Sequence, residues 1–173
     1  EIVITGIIGS KGMLFQKEGI ALETLLEHEY GSKALLQYAD LYHVPLQKAI
    51  FSGDVLVDCT PTNMESGEPG LSYVMAALDA GMDFVAVSKG ALVHSFKALK
   101  ERAIQKGSRF KYSGATAAAL PTLDIGEYSL AGSTITSIEG ILNGTSNYIL
   151  SRMYEENVSF ATALKQAQEK GIA

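Results

Sequence analysis

Hydrophobic and polar positions along this chain switch between a period near two and a period near 3.6, and the switches divide it into elements. Residues 1–5, EIVIT, are short, β-branched and bounded by glycine, which predicts a strand. Helical spacing follows over 21–29, with Leu22, Leu25 and Leu26 on one face, and again over 33–40. Residues 54–59, DVLVDC, form a continuous apolar run of the kind a parallel sheet buries on both faces. After the polar loop TPTNMESGEPG, Leu71, Val74, Met75 and Leu78 fall at i, i+3, i+4 and i+7 and predict a helix that ends at Gly81. Residues 84–87, FVAV, predict the next buried strand. Ser95 then suits the cap of a helix with Phe96, Leu99 and Ala103 inward and a stop near Gly107, and RFKY (109–112) predicts a further strand.

Strand, helix, strand, helix, strand at these spacings places the chain in the α/β class, with βαβ units and a doubly wound parallel sheet over residues 1–120. The character changes after Pro121. Residues 133–144, STITSIEGILNG, alternate as a one-sided strand does, and two helices follow over 147–155 and 160–170, the second capped by Ser159. Residues 121–173 therefore read as the start of a second, α+β domain.

Composition narrows the partners. With 173 residues, 47% of them hydrophobic, the chain can fill one good core. Its 14 basic and 19 acidic residues leave a net charge of −5, which argues against nucleic acid or an anionic membrane as the main partner. No apolar run approaches the roughly 20 residues of a membrane span, and the start lacks the basic region of a signal peptide. A lone cysteine, Cys59, excludes a disulfide framework and fits a reducing compartment, so the expected location is cytoplasmic.

Candidate chemistry concentrates where open α/β sheets bind ligands, beyond the carboxyl ends of the strands. Thr60-Pro61-Thr62-Asn63 follows DVLVDC, Ser88-Lys89-Gly90 follows FVAV, and Ser113-Gly114-Ala115-Thr116 follows RFKY. Lys89, flanked by small residues, is placed to project into the crevice, where its ammonium can hold a carbonyl oxygen or move a proton. Thr60, Thr62 and Asn63 can hydrogen-bond a ribose, a phosphate or an amide, or can simply make a turn. Asn143-Gly144-Thr145 opens a helix; it either caps that helix or offers free N–H groups to a ligand. His28, His43 and His94 lack metal-ligand spacing, and Cys59 reads as an inert core thiol.

The opening GIIGSKG has glycines at 6, 9 and 12, a G-x-x-G-x-x-G spacing that fails the G-x-G-x-x-G pyrophosphate turn. Other segments carry a resemblance. DVLVDCTPTN, ALDAGMDFVAVSKGAL, YSGATAAALP, GILNGTSNYIL and SFATALKQAQEKGIA occur in the order of the corresponding segments of homoserine dehydrogenases, GILNGTSNYIL being the sharpest match. The resemblance implies an NAD(P)-dependent oxidoreductase that interconverts L-homoserine and L-aspartate 4-semialdehyde in threonine, methionine and isoleucine biosynthesis. It implies a partial Rossmann-type sheet followed by the start of a substrate and dimerisation domain, and a homodimer.

By that resemblance Lys89 handles the proton on the substrate oxygen, while Thr60, Pro61, Asn63, Ser88, Lys89 and Gly171 border the cofactor. Asn143, Gly144 and Thr145 border the substrate. Backbone carbonyls of Ser113, Thr116, Ala118 and Leu120 correspond to a loop that binds a monovalent cation such as Na⁺, although the family's glutamate is Ser113 here. The resemblance also makes EIVIT the second strand of the nucleotide sheet, with the first strand, the phosphate turn and the last catalytic segment lying outside this central fragment. Gly9, Ser10 and Lys11 then face the adenosine ribose; lacking a carboxylate and carrying a hydroxyl and an ammonium, they favour NADP over NAD. A cysteine-dependent semialdehyde dehydrogenase is disfavoured by the position of Cys59. A non-catalytic nucleotide-binding or dimer-forming remnant is the alternative.

Overall fold

The computed structural model describes residues 2–116 and 120–173. Its first unit is an antiparallel hairpin of β1 (Gly6–Gly9) and β2 (Gly12–Phe15), in register with Gly9 opposite Gly12. The predicted strand over residues 1–5 is therefore displaced: the extended pairing begins at Gly6 and belongs to a separate two-stranded sheet. The reason is the turn. Ser10 and Lys11 make a two-residue loop, and Gly12 takes φ +133°, a conformation that strains any residue with a Cβ. Two helices cover the hairpin, α1 (Leu22–Leu26) and α2 (Ser32–Tyr42). Leu14, Ile20, Leu35, Tyr38 and Ala39 form the core between them. The buried Tyr38 hydroxyl accepts from the Ala21 amide at 3.0 Å and donates to Gln16 Oε1 at 2.7 Å, so its polar end is satisfied. Of the three leucines expected on one face of α1, only Leu25 packs into this core.

The second unit is a parallel sheet in the consecutive order β3 (Val55–Asp58), β4 (Asp83–Ala86), β5 (Phe110–Lys111). Helices α3 (Gly70–Asp79) and α4 (Gly90–Lys106) make the two crossovers. Crossovers of one hand in consecutive order place both helices on one face of the sheet, and α3 and α4 do pack on each other. Val74, Leu78, Phe84, Ala86, Leu99 and Ala103 fill the space between.

Among the described residues nothing covers the other face, which differs from the expectation that residues 54–59 are buried on both sides. Val55 and Val57 are 46% and 53% exposed, while Asp58 points into the covered layer. Cys59, expected as a core thiol, is exposed for the same reason. Ser95 is the non-helical residue at a kink in α4 where two helical segments meet. It therefore stands at the start of the segment carrying Phe96, Leu99 and Ala103, with an earlier segment already formed from Gly90 and its hydroxyl beside His94 Nδ1 at 3.2 Å. The stop at Gly107 is as expected, with φ +70°.

An ion pair fixes the amino end of β4. Asp83 accepts from the Arg109 amide and from Arg109 Nε, both at 2.7 Å, and these hydrogen bonds hold its carboxyl below the usual aspartate range. A carboxyl with a depressed folded pKa stabilises the fold above the unfolded pKa, and that contribution disappears as pH falls through the folded value. The urea midpoint of Asp83→Asn is therefore expected to lie below wild type at pH 7 and to converge on it as pH falls through the lowered folded pKa of Asp83. A gap independent of pH would show that the charge is immaterial.

After β5 come a 3₁₀ turn (Ser113–Ala115), the short α5 (Thr122–Asp124) and a single π turn (Ile125–Ser129). Residues 133–143 form no strand, contrary to their alternating pattern, because no neighbouring chain segment pairs with them among the described residues. Helices α6 (Gly144–Glu156) and α7 (Phe160–Glu169) pack as a hairpin around Ile149, Ala163 and Ala167. Ser159 caps α7 as expected, accepting from the Thr162 amide at 3.3 Å. Among the described residues the apolar content is thus spread over three small cores rather than one. No helix among the described residues is long and apolar enough to cross a membrane.

Candidate functional site

The carboxyl ends of β3 and β4 bring together most of the residues singled out in the sequence. Asp58, the last residue of β3, is the organiser. Its carbonyl accepts from the amides of Val87 and Ser88, both at 3.0 Å, which ties the end of β4 to the end of β3. Its side chain is 4% exposed; Oδ1 accepts from the Thr60 amide at 3.0 Å and from Thr60 Oγ1 at 2.7 Å. Oδ2 is enclosed and has no hydrogen-bond partner among the described residues.

Beyond Thr60 and the exposed Pro61, Thr62 Oγ1 lies 3.5 Å from the Lys89 amide, a long and weak contact. Asn63 resolves toward turn chemistry: its Oδ1 accepts from the amides of Glu65 at 3.0 Å and Ser66 at 3.1 Å. Only its amide nitrogen is left for another partner.

Gly90 explains how the two loops come so close. A Cβ at this position would stand 2.8 Å from the Asn63 carbonyl oxygen and 3.1 Å from its nitrogen, both backbone atoms. Alanine is otherwise welcome at a helix start, so Gly90→Ala isolates the steric contact. It is expected to destabilise the protein by about 1–3 kcal/mol in urea unfolding. An unchanged midpoint would mean that the loops can part freely.

Ser88 is buried, whereas Lys89 is exposed, and among the described residues its ammonium makes no hydrogen bond or ion pair. It is a cation held at a strand end with nothing competing for it. Gly114, in the turn after β5, faces the Ala86 carbonyl at 3.4 Å and the Val87 side chain at 3.6 Å from its would-be Cβ, so the third expected loop joins the same end of the sheet.

Other residues do not gather there through any hydrogen bond among the described residues. Gly9, Ser10 and Lys11 make the hairpin turn instead of ending a parallel strand; Ser10 Oγ sits 2.8 Å from Ser32 Oγ. Asn143 caps α6, accepting from the Ser146 amide at 2.8 Å. Thr145 Oγ1 donates to the Ile172 carbonyl at 2.6 Å, which brings the start of α6 beside Gly171, itself in the left-handed region at φ +67° where α7 ends. The side chains of Asn143 and Thr145 are therefore engaged structurally, leaving the Gly144 and Thr145 amides at the helix start.

In the expected cation loop, the Ser113 carbonyl accepts from the Thr116 amide at 3.0 Å and the Leu120 carbonyl from the Thr122 amide at 2.8 Å. Ser113 Oγ donates to Asp124 Oδ1 at 3.2 Å. Ala118 lies outside the described residues. No group of three or more metal-ligating His, Cys, Asp or Glu side chains occurs among the described residues.

The sequence pattern assigned no role to Asp58, and it named Gly90 only as a neighbour of Lys89. The signal for Asp58 was an acidic residue closing an apolar strand, where a charge must find donors.

Residues 121–173 match the family model described as homoserine dehydrogenase. Over its whole length the chain is 33% identical to the homoserine dehydrogenase of Methanocaldococcus jannaschii and spans 52% of it. A solved chain from Archaeoglobus fulgidus superposes on all of it with a TM-score of 0.73 at 30% identity, this chain covering 51% of that one. A hyperthermophilic archaeal homoserine dehydrogenase in complex with NADPH shares the fold, with a TM-score of 0.76 over 97% of this chain at 18% identity and 51% coverage of that structure. The chain thus spans about half the length of the curated relative matched along its whole length. Residues 121–173 are thus similar to the homoserine dehydrogenase family model, and the chain as a whole is similar in sequence and fold to about half of a homoserine dehydrogenase.

Proposed function

We propose that this chain carries the nicotinamide end and part of the substrate site of an NAD(P)-dependent homoserine dehydrogenase, which interconverts L-homoserine and L-aspartate 4-semialdehyde. One observation carries the reading. Thr60, Ser88 and an uncompeted Lys89 converge at the carboxyl ends of two adjacent parallel strands, the position where open α/β sheets hold ligands. These residues fit a nicotinamide ribose: a hydroxyl fixed by a buried carboxylate on one side, a cation on the other. When bound, the dinucleotide supplies or accepts the hydride. Lys89 holds the substrate oxygen through its ammonium and exchanges the proton on it as alcohol and carbonyl interconvert.

Residues 1–120 form the nucleotide-binding part in this reading and 121–173 begin the substrate and dimerisation part. Ser10 and Lys11, exposed on the hairpin turn, offer a hydroxyl and an ammonium to a 2′-phosphate, which favours NADP. A Na⁺ ion on the carbonyls of residues 113–120 and a cytoplasmic, homodimeric enzyme complete the proposal.

The test is NADPH and NADH oxidation with L-aspartate 4-semialdehyde on the full-length protein. Turnover with either nucleotide, faster with NADPH, is expected. Tight nucleotide binding with no turnover would favour a non-catalytic remnant, and no binding would overturn the reading.

A further inference from the structure

We infer that Asp58 is a positioning residue that fixes the Thr60 hydroxyl as a hydrogen-bond acceptor, so that the ligand group at Thr60 is a donor such as a ribose hydroxyl and not a phosphate oxygen. The inference rests on the nucleotide reading above. A hydroxyl has one proton to give. Thr60 Oγ1 gives it to Asp58 Oδ1 at 2.7 Å, and the same oxygen takes the Thr60 amide at 3.0 Å, which leaves no freedom for the side chain to turn its proton outward. Asp58 is itself immobilised: it is 4% exposed, and its carbonyl is held by the amides of Val87 and Ser88. The side-chain pair lies against the first residue of α3, because a Cβ on Gly70 would stand 2.8 Å from Asp58 Oδ2 and 2.9 Å from Thr60 Oγ1. What Thr60 offers outward is therefore lone pairs beside a buried carboxylate. Those attract a hydroxyl or amide proton and repel a phosphate oxygen.

Binding to the full-length protein is read by titrating the intrinsic fluorescence of NADPH and NADH. Thr60→Val, which keeps the shape and removes the acceptor, is expected to weaken the preferred nucleotide about 3- to 10-fold. Thr60→Ser, which restores the hydroxyl, is expected to stay within about twofold of wild type. Asp58→Ala is expected to match Thr60→Val and to add nothing to it in the double variant, since both act through one hydroxyl. Asp58→Asn, whose amide oxygen can still accept from Thr60, is expected to restore binding. Gly70→Ala, which drives the pair apart without touching either residue, guards against an Asp58→Ala chain that fails to fold and is expected to give the Thr60→Val loss.

Inorganic pyrophosphate as competitor is expected to bind wild type and Thr60→Val alike. A slowly exchanging Thr60 hydroxyl proton in the NMR spectrum, absent from Asp58→Ala, is the ligand-free counterpart. Unchanged nucleotide binding in Thr60→Val, additive losses in the double variant, or weaker pyrophosphate binding to Thr60→Val would each overturn the inference while the nucleotide reading stands. Failure of both nucleotides to bind wild type would overturn both.

Discussion

Lys89→Ala is expected to lower kcat/KM with homoserine about 10²- to 10⁴-fold in the full-length protein, the range that positioned acid–base groups contribute. The expectation follows from where β4 ends. Ser88 is buried and its amide is tied to the Asp58 carbonyl, so the next residue is delivered at a fixed point with its side chain free. An exposed ammonium with no partner among the described residues adds little to the fold, and the melting temperature is expected to stay put. Lys89→Arg divides the role into two parts. A guanidinium keeps the charge but does not give up its proton, so a variant that recovers KM and not kcat identifies proton exchange as the larger part. Near-normal kcat/KM in Lys89→Ala would remove Lys89 from the reaction altogether.

The sequence made the strand–helix–strand frame legible because its signals are local. Leu71, Val74, Met75 and Leu78 mark one helical stripe, and all four pack toward the same core in the structure. The three loops at the carboxyl ends follow from strand direction alone, and the parallel register of β3, β4 and β5 puts them side by side. What escaped was whatever depends on a neighbour. The run at 54–59 looks the same whether one face of the sheet is covered or two, so the exposure of Val55, Val57 and Cys59 could not be read from it. The alternation at 133–144 states which side chains would share a face but not whether another strand is there to pair. GIIGSKG is ambiguous in the same way: glycines serve a phosphate turn and a hairpin turn through the same freedom of φ, and only the pairing of Gly9 with Gly12 decides for the hairpin.

The division of labour within Asp58 also had to come from the fold. A single residue uses its carbonyl to join two strands and its carboxylate to orient a hydroxyl. In the sequence it is only an acid at the end of an apolar run. The candidate site is thereby built from backbone as much as from side chains, which is why Gly70 and Gly90, two residues with no side chain, constrain it more tightly than the exposed Thr62 or Asn63.

Phe84→Ala is the substitution expected to cost the fold most. Phe84 is fully buried at the middle of β4, the central strand of the parallel sheet. Its ring stacks on Phe110 with centroids 5.2 Å apart and planes 14° from parallel, which fastens β4 to β5 as well as to the helices. Removing the ring leaves a cavity in the core shared with Val74, Leu78 and Leu99, and such truncations cost about 3–5 kcal/mol. For a chain of this size that corresponds to a drop in Tm of about 6–20 °C. Phe84→Leu, which refills most of the space, is expected to recover the greater part of it. A loss below about 1 kcal/mol in urea unfolding would mean that the layer between sheet and helices can collapse around the gap. The consequence for chemistry is indirect but testable in the same variant. Phe84 stands four residues before Ser88, on the strand that delivers Lys89. If the sheet is what holds the site together, nucleotide affinity falls along with stability in Phe84→Ala and returns with it in Phe84→Leu.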